Sequence, residues 1–167
     1  MLDPQARALI DLMVERGVPP THTLPPAEAR RFYRERRFFT QPDPPPVGSV
    51  RELAAGTIPM RLYEPPQRDG PHPVLVYFHG GGWVIGDLET HDVVCRQLCL
   101  DAGCAVLAVD YRLGPEHGFP AAVDDCHSAV RWLREQGAAH GLDATRLAVG
   151  GDSAGGNLAA VTALGMR

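Results

Sequence analysis

Apolar residues are spaced in two different ways along the chain. In the first 39 residues they recur every three or four positions, which predicts amphipathic helices over residues 2–16 and 26–39. Later they form short continuous runs, as in strands covered on both faces, at residues 74–78, 105–109 and 147–149. Helical spacing follows each run, near residues 90–102, from Pro120 onward, and over residues 154–163. This alternation predicts a mostly parallel sheet with right-handed helical crossovers.

A proline-rich break at residues 42–46 separates the two patterns. Four of its five residues are proline, and neither a helix nor a central strand tolerates such a segment. Two strand-like segments follow, near residues 48–55 and 57–64, and Pro59 predicts that the second is an edge or irregular strand. We therefore divide the chain into a helical segment, residues 1–42, and a larger α/β unit, residues 47–167.

The composition fits a globular protein and excludes several other classes. With 44% hydrophobic and 22% charged residues, a chain of 167 residues is expected to form one folded domain without a membrane span. The net charge of −4 argues against a nucleic-acid partner. The start of the chain has no basic region followed by an apolar one, so we expect a cytoplasmic protein. The four cysteines show no metal-binding spacing, and we expect them to be buried as small hydrophobes.

Arginine is concentrated in the second predicted helix, at Arg30, Arg31, Arg34, Arg36 and Arg37. Such a cluster can bind nucleic acid, or it can be the solvated face of a surface helix. The sequence carries no other nucleic-acid signature, so we interpret the cluster as a solvated face.

A G-x-S-x-G motif, residues 151–155, connects the last apolar run to the last predicted helix. In that context a sharp strand-to-helix turn can lift Ser153 above the sheet as a nucleophile. The start of the following helix would place backbone N–H groups, that of Ala154 first, near developing negative charge. An ordinary glycine-rich turn is the alternative, and the motif alone does not decide between the two.

A second glycine segment favours the catalytic interpretation. The sequence His79-Gly80-Gly81-Gly82-Trp83 directly follows the first buried run, and three glycines in succession expose backbone N–H groups without side chains in the way. Both glycine segments follow parallel strands, so both are expected at the carboxyl edge of the sheet, where ligands bind in open α/β folds.

Three segments together resemble the bacterial hormone-sensitive-lipase-like (family IV) carboxylesterases, a branch of the α/β hydrolases. They are residues 79–83, residues 110–117 (DYRLGPEH) and residues 151–157 (GDSAGGN), and their order and separations also fit. The resemblance runs from about Pro71 to the end of the chain. Gly114 and Gly118 depart from the pattern, which has alanine and proline there.

The resemblance implies an α/β-hydrolase fold in which residues 1–42 form a helical cap over the active site. It implies that Ser153 is the nucleophile and that the backbone N–H groups of three loop glycines and one helix residue form the oxyanion hole: Gly80, Gly81, Gly82 and Ala154. The expected substrate is a small-molecule ester with a short to medium acyl chain. This chemistry needs no metal or organic cofactor.

The resemblance also implies supporting roles for several neighbouring residues. His79 is expected to anchor its loop by hydrogen bonds, and Asp152 is expected to support the site rather than serve as the triad acid. The segment at residues 110–117 is expected to be structural, with Arg112 and Glu116 in ion pairs or hydrogen bonds.

The residues that activate such a serine are missing from this stretch of sequence. In this fold the acid and then the histidine follow the serine along the chain, yet the fourteen residues after Ser153 contain no Asp, Glu or His. None of the seven upstream histidines matches the position of the base. We therefore expect an α/β-hydrolase sheet that is incomplete at its C-terminus, with little or no activity in the 167-residue chain alone. An incomplete sheet would also expose a strand edge that favours self-association.

Three other functions remain as alternatives. A non-catalytic small-molecule binding protein on the same scaffold is possible, as in the related plant gibberellin receptors. A dinucleotide-binding domain fits the parallel sheet, but the chain has no G-x-G-x-x-G fingerprint. A serine peptidase of this fold is the third, although the triple glycine and the helical segment favour esters.

Overall fold

The computed structural model describes residues 2–66 and 70–166. Residues 1, 67–69 and 167, which fall inside the predicted segments, lie outside the described residues. The helices are α1 (Pro4–Glu15), α2 (Pro26–Thr40), α3 (Asp92–Ala102), α4 (Ala121–Gln136) and α5 (Ala154–Gly165). The strands are β1 (Ser49–Ala55), β2 (Ile58–Glu64), β3 (His72–Phe78), β4 (Ala105–Val109) and β5 (Leu142–Gly151). Two short 3₁₀ helices span Thr21–Thr23 and Gly137–His140.

The strands form one five-stranded sheet in the order β1-β2-β4-β3-β5. β4 and β5 both pair with β3 in parallel, whereas β2 is antiparallel to β1 and to β4. Only β2 therefore runs against the other four strands, which confirms the predicted, mostly parallel sheet. Among the described residues, no strand pairs with the outer edge of β5.

The prediction that Pro59 marks an edge or irregular strand is wrong, because β2 lies inside the sheet and pairs in a continuous register with β1 and β4. Pro59 is near the start of β2, and the pairing with β4 begins one residue later, at Met60. Pro59 therefore needs no N–H for β4, and its carbonyl accepts a hydrogen bond from the Asp110 N–H at 3.0 Å. A proline at the end of a strand costs the sheet little.

Helices cover both faces of the sheet. Successive side chains of a strand point to opposite faces, so Val106 and Ala108 pack with Cys95 and Cys99 of α3. The alternate residues of β4, among them the fully buried Leu107, join the larger core formed with α4 and α5. This two-sided burial explains the continuous apolar runs of the central strands.

The interpretation of the arginine cluster as a solvated face is wrong for three of its members. Arg30, Arg34 and Arg37 recur at one face of α2, and each forms an ion pair with a loop of the α/β unit, at Glu116, Asp87 and Glu89 respectively. The shortest N–O distances in these pairs are 2.6, 2.6 and 2.8 Å. The sequence alone could not match these arginines with carboxylates more than 50 residues away. The arginine face therefore attaches α2 to the sheet domain.

Candidate active site

Ser153 lies in a strained turn between β5 and α5. Its backbone has φ 51° and ψ −117°, a conformation that residues with a side chain rarely adopt. Its carbonyl accepts the Asn157 N–H at 3.1 Å, and the Gly155 N–H donates to the Asp152 carbonyl at 2.8 Å. The side chain of Ser153 is exposed at the carboxyl edge of the sheet. A fixed backbone thus holds this hydroxyl outward.

Glycine is required on both sides of Ser153 because the turn passes very close to β3. A Cβ atom added at Gly151 or at Gly155 would overlap the Phe78 carbonyl oxygen. Hydrogen at these positions lets the start of α5 pack directly on the end of β3. The two outer glycines of the motif therefore have a steric role that follows from the sheet.

The loop after β3 contains three successive glycines, residues 80–82, and contacts the serine turn through the Gly80 N–H, which donates to Asp152. The Gly81 carbonyl accepts hydrogen bonds from the N–H groups of Val84, at 3.2 Å, and Ile85, at 3.0 Å, which closes the loop into a compact turn. Gly81 has φ +128°, and a Cβ there would overlap the Ile85 carbonyl oxygen, so only glycine fits.

The four predicted oxyanion donors fall into two groups. The Gly80 N–H donates to Asp152 Oδ1 at 2.9 Å and is therefore already engaged. The N–H groups of Gly81, Gly82 and Ala154 have no acceptor within residues 2–66 and 70–166. Three donors thus remain for a ligand oxygen, and Gly80 instead ties the glycine loop to the serine turn.

Asp152 connects three elements through one carboxylate oxygen. Its Oδ1 accepts hydrogen bonds from the Tyr77 hydroxyl at 2.8 Å and from Gly80, and it lies 3.3 Å from His91 Nε2. Burial by itself raises the pKa of Asp152, but the Tyr77 hydrogen bond, the charge of His91 and the Gly80 N–H outweigh it and hold the pKa below its usual value. Asp152 is therefore an ionised brace. Sequence reasoning missed Tyr77 and His91, whose side chains lie in a strand and a helix cap that carry no motif.

His79 is buried directly beneath the glycine loop. Its Nδ1 lies 2.8 Å from the Gly80 carbonyl, and its ring stacks on Tyr111 at a centroid distance of 4.4 Å. Tyr111 in turn donates its hydroxyl to the His79 carbonyl at 2.6 Å. Burial lowers the pKa of His79 to about 4, so the ring is neutral near pH 7. These contacts suit an anchor of the loop rather than a proton carrier.

The loop after β4 is fixed by ion pairs. Arg112 forms a bidentate pair with the buried Asp125 of α4, with hydrogen bonds of 2.8 and 2.9 Å, and Glu116 pairs with Arg30. Both residues are thus ion-paired, although not with each other.

No base stands beside the serine in this part of the molecule. All seven histidines lie within the described residues, and none of them forms a hydrogen bond with Ser153. Within the same residues, no group of three or more His, Cys, Asp or Glu side chains could hold a metal ion. None of the helices in the described ranges has both the length and the apolarity needed to cross a membrane.

Comparison with known proteins gives the same fold, and the curated relatives named here are ester hydrolases. A family model described as an α/β hydrolase fold matches residues 75–167. An ethyl acetate hydrolase of Pseudomonas putida is 45% identical over 97% of this chain, and carboxylesterase NlhH of Mycobacterium tuberculosis is 42% identical over 97%. The match covers 54% and 51% of those two proteins, so the chain spans about half the length of its curated relatives.

Two solved structures superpose on all or nearly all of this chain. An ester hydrolase from the Lake Arreo metagenome, solved with a bipyridine phosphonate derivative, superposes with a TM-score of 0.92 at 44% identity, covering all of this chain and 56% of that one. A hyperthermophilic esterase from the archaeon Pyrobaculum calidifontis gives 0.90 at 39% identity, covering 99% of this chain and 54% of that protein. The chain therefore belongs to the hormone-sensitive-lipase-like branch of the α/β-hydrolase family, and the relatives named here are esterases.

Proposed function

We propose that the protein hydrolyses carboxylic esters with Ser153 as the nucleophile. The observation that carries this proposal is the strained turn at Ser153, which exposes this serine directly before Ala154, whose N–H has no acceptor among the described residues. A strained conformation at an exposed serine has no structural benefit of its own, and strain of this kind concentrates at functional sites.

The proposed reaction follows from these positions. Ser153 Oγ attacks the ester carbonyl carbon, its proton passes to a base, and the carbonyl oxygen becomes an oxyanion. The N–H groups of Gly81, Gly82 and Ala154 stabilise this oxyanion. Collapse of the intermediate breaks the bond to the alcohol oxygen, which takes the proton back from the base, and leaves an acyl-enzyme. Water then gives a proton to the base and attacks the acyl carbon, which releases the acid and returns the proton to Ser153. Gly80 contributes indirectly, through its bond to Asp152.

The base and its orienting acid are proposed to lie outside these 167 residues, in the order acid and then histidine. In support, no described histidine hydrogen-bonds Ser153, and the chain spans about half the length of its curated relatives. The 167-residue chain alone is then expected to have little or no esterase activity. Self-association of that chain and a cytoplasmic location stay predictions.

Residues 1–42 are proposed to act as a cap that shapes the substrate pocket. A pocket of about 480 Å³ lies between the segment containing His22 and Leu24 and the loop containing Gly81 and Ile85. This volume is within the range of small-molecule sites. A pocket that contains Gly81 would place a bound acyl or alcohol group next to one of the proposed oxyanion donors.

The proposal is tested with a series of p-nitrophenyl esters, from acetate to dodecanoate, and the purified full-length gene product. We expect turnover that is highest with short to medium acyl chains, because a pocket of this size limits chain length. A folded protein that hydrolyses none of the esters would contradict the proposal. Saturable ester binding without turnover would instead favour a binding protein on the same scaffold.

Removal of the Asp152 carboxylate tests the proposed brace between the two glycine segments. Asp152→Ala is expected to lower kcat by about 10- to 100-fold with a smaller change in KM, because hydrogen bonds to a charged group contribute roughly 1.5–3 kcal/mol. Asp152→Asn keeps an acceptor oxygen for Tyr77 and Gly80 and is expected to recover most of the loss. Steady-state kinetics of the two variants decide the matter, and wild-type kcat in the alanine variant would refute the brace.

A further inference from the structure

Arg30 of α2 makes four hydrogen bonds to two loops of the sheet domain. Its Nε donates to the Val84 carbonyl at 2.7 Å, and one terminal nitrogen donates to the Gly114 carbonyl at 2.8 Å. Its two terminal nitrogens also form a bidentate pair with Glu116, at 2.9 and 2.6 Å. A guanidinium suits this task because its donors lie in one rigid plane. In the part of the chain that the structure describes, no other arginine of α2 is bonded to main-chain atoms on both loops.

The two residues whose carbonyls Arg30 binds also donate their own N–H groups to the glycine loop. The Val84 N–H donates to the Gly81 carbonyl at 3.2 Å, and the Gly114 N–H donates to the Trp83 carbonyl at 2.7 Å. Arg30 therefore holds the main chain immediately after Gly82. A shift of Val84 would move the peptide groups that carry the proposed oxyanion donors.

The neighbouring arginines of the same helix face provide a comparison. Arg34 pairs with Asp87 through side chains only, and Arg37 binds the side chain and carbonyl of Glu89. Both contacts attach α2 to the far end of the loop, beyond the glycines. They would hold the helix in place without fixing Val84.

The Arg30–Glu116 pair stays charged under ordinary assay conditions. The hydrogen bond from Arg30 lowers the pKa of Glu116 to about 2, and the guanidinium is always protonated. The Arg30 side chain is only 27% exposed, so water competes weakly for its carbonyl contacts. Charge-assisted hydrogen bonds of this kind are shorter and stronger than neutral ones.

We propose that Arg30 is a positioning residue that holds the oxyanion-hole loop in its working geometry from the N-terminal helix. The inference rests on the proposed function, since it gives Arg30 a role in stabilising the oxyanion. It means that α2 takes part in the reaction as well as covering the site, because docking of the helix and the order of Gly81 and Gly82 depend on one side chain.

The experiment compares Arg30→Gln, Arg30→Lys and the control Arg34→Gln in the full-length gene product. Two quantities are measured: kcat and KM for a p-nitrophenyl ester, and the inhibition constant of a trifluoromethyl ketone. Ser153 Oγ adds to the carbonyl carbon of such a ketone, the serine proton passes to the base, and the ketone oxygen becomes an oxyanion in the hole. Inhibition therefore reports the geometry of the donors separately from substrate binding.

Arg30→Gln is expected to lower kcat by about 10- to 100-fold with KM within about twofold, and to weaken the ketone by a similar factor. Arg30→Lys should recover only part of this, because an ammonium group cannot bind two carbonyls and a carboxylate in one plane. Arg34→Gln should change kcat by less than about threefold, because within residues 2–66 and 70–166 Arg34 hydrogen-bonds to the Asp87 side chain alone. Equal losses in Arg30→Gln and Arg34→Gln, or an unchanged kcat in Arg30→Gln, would overturn the inference.

A milder variant covers the case in which Arg30→Gln does not fold. Glu116→Gln removes the negative charge that pairs with Arg30 and is expected to lower kcat by about 3- to 10-fold at constant KM. An unchanged kcat would overturn the inference. Failure of the proposed function gives a different result, since the wild-type protein would then lack ester turnover that depends on Ser153. Turnover that depends on Ser153 but is indifferent to Arg30 refutes only the role of Arg30.

Discussion

Replacing Ser153 with alanine is expected to lower kcat/KM of the full-length gene product for p-nitrophenyl esters by about 10⁴-fold or more. The alanine variant loses the oxygen that forms the acyl-enzyme, so both covalent steps disappear together. The small residual rate would come from the oxyanion donors acting on bound ester and water. The measurement is the initial rate over a range of ester concentrations, corrected for spontaneous hydrolysis.

The stability of the same variant separates a chemical loss from a structural one. Ser153 donates no side-chain hydrogen bond to the described residues and its side chain is exposed, so thermal unfolding should change little. Ser128→Ala is the matched control, because among the described residues that hydroxyl bonds only within α4, to the Asp124 carbonyl and to Arg131. The control should keep wild-type turnover. Substantial activity in Ser153→Ala would remove Ser153 from the mechanism.

The second large effect is expected from Gly155→Ala. A Cβ at this position would overlap the carbonyl group of Phe78 and press on the His79 carbonyl oxygen, all of which are backbone atoms that cannot rotate away. The start of α5 must then move off the end of β3, with a loss of about 3 kcal/mol in the free energy of unfolding. Movement of α5 would also displace the Ala154 N–H, so activity should fall with stability. Urea unfolding measures the first effect.

Gly118→Ala is the control for this substitution. A Cβ there meets no atom within 4 Å, and the backbone of Gly118 does not require glycine, so stability should be unchanged or slightly higher. Helix propensity alone would make alanine at position 155 stabilising. A Gly155→Ala protein as stable as wild type would show that α5 and β3 are less closely packed than the structure indicates.

The sequence was sufficient wherever local pattern decides the structure. Continuous apolar runs predicted β3 and β4 closely, and the two glycine segments predicted which loops meet at the edge of the sheet. The proposed roles of Ser153 and Gly81 need only a strand, a tight turn and a helix in a known order. Such features depend on residues that are close together in the sequence.

Features that depend on long-range pairing could not be predicted in this way. The place of β2 inside the sheet depends on β4 starting its pairing after Pro59, which no local pattern reveals. The arginine face of α2 finds its carboxylates in two distant loops. The Gly80 N–H is one of three equivalent donors in sequence, and only the fold assigns it to Asp152.

The most direct test of the central claim is labelling of the full-length gene product with a fluorophosphonate probe, followed by peptide mapping. An activated serine attacks phosphorus and displaces fluoride, so the label reports both the nucleophile and its activation. We predict one phosphonylated residue, Ser153, with no label in Ser153→Ala and less label after preincubation with a trifluoromethyl ketone. A folded protein in which Ser153 stays unlabelled, or in which another residue carries the label, would contradict the account.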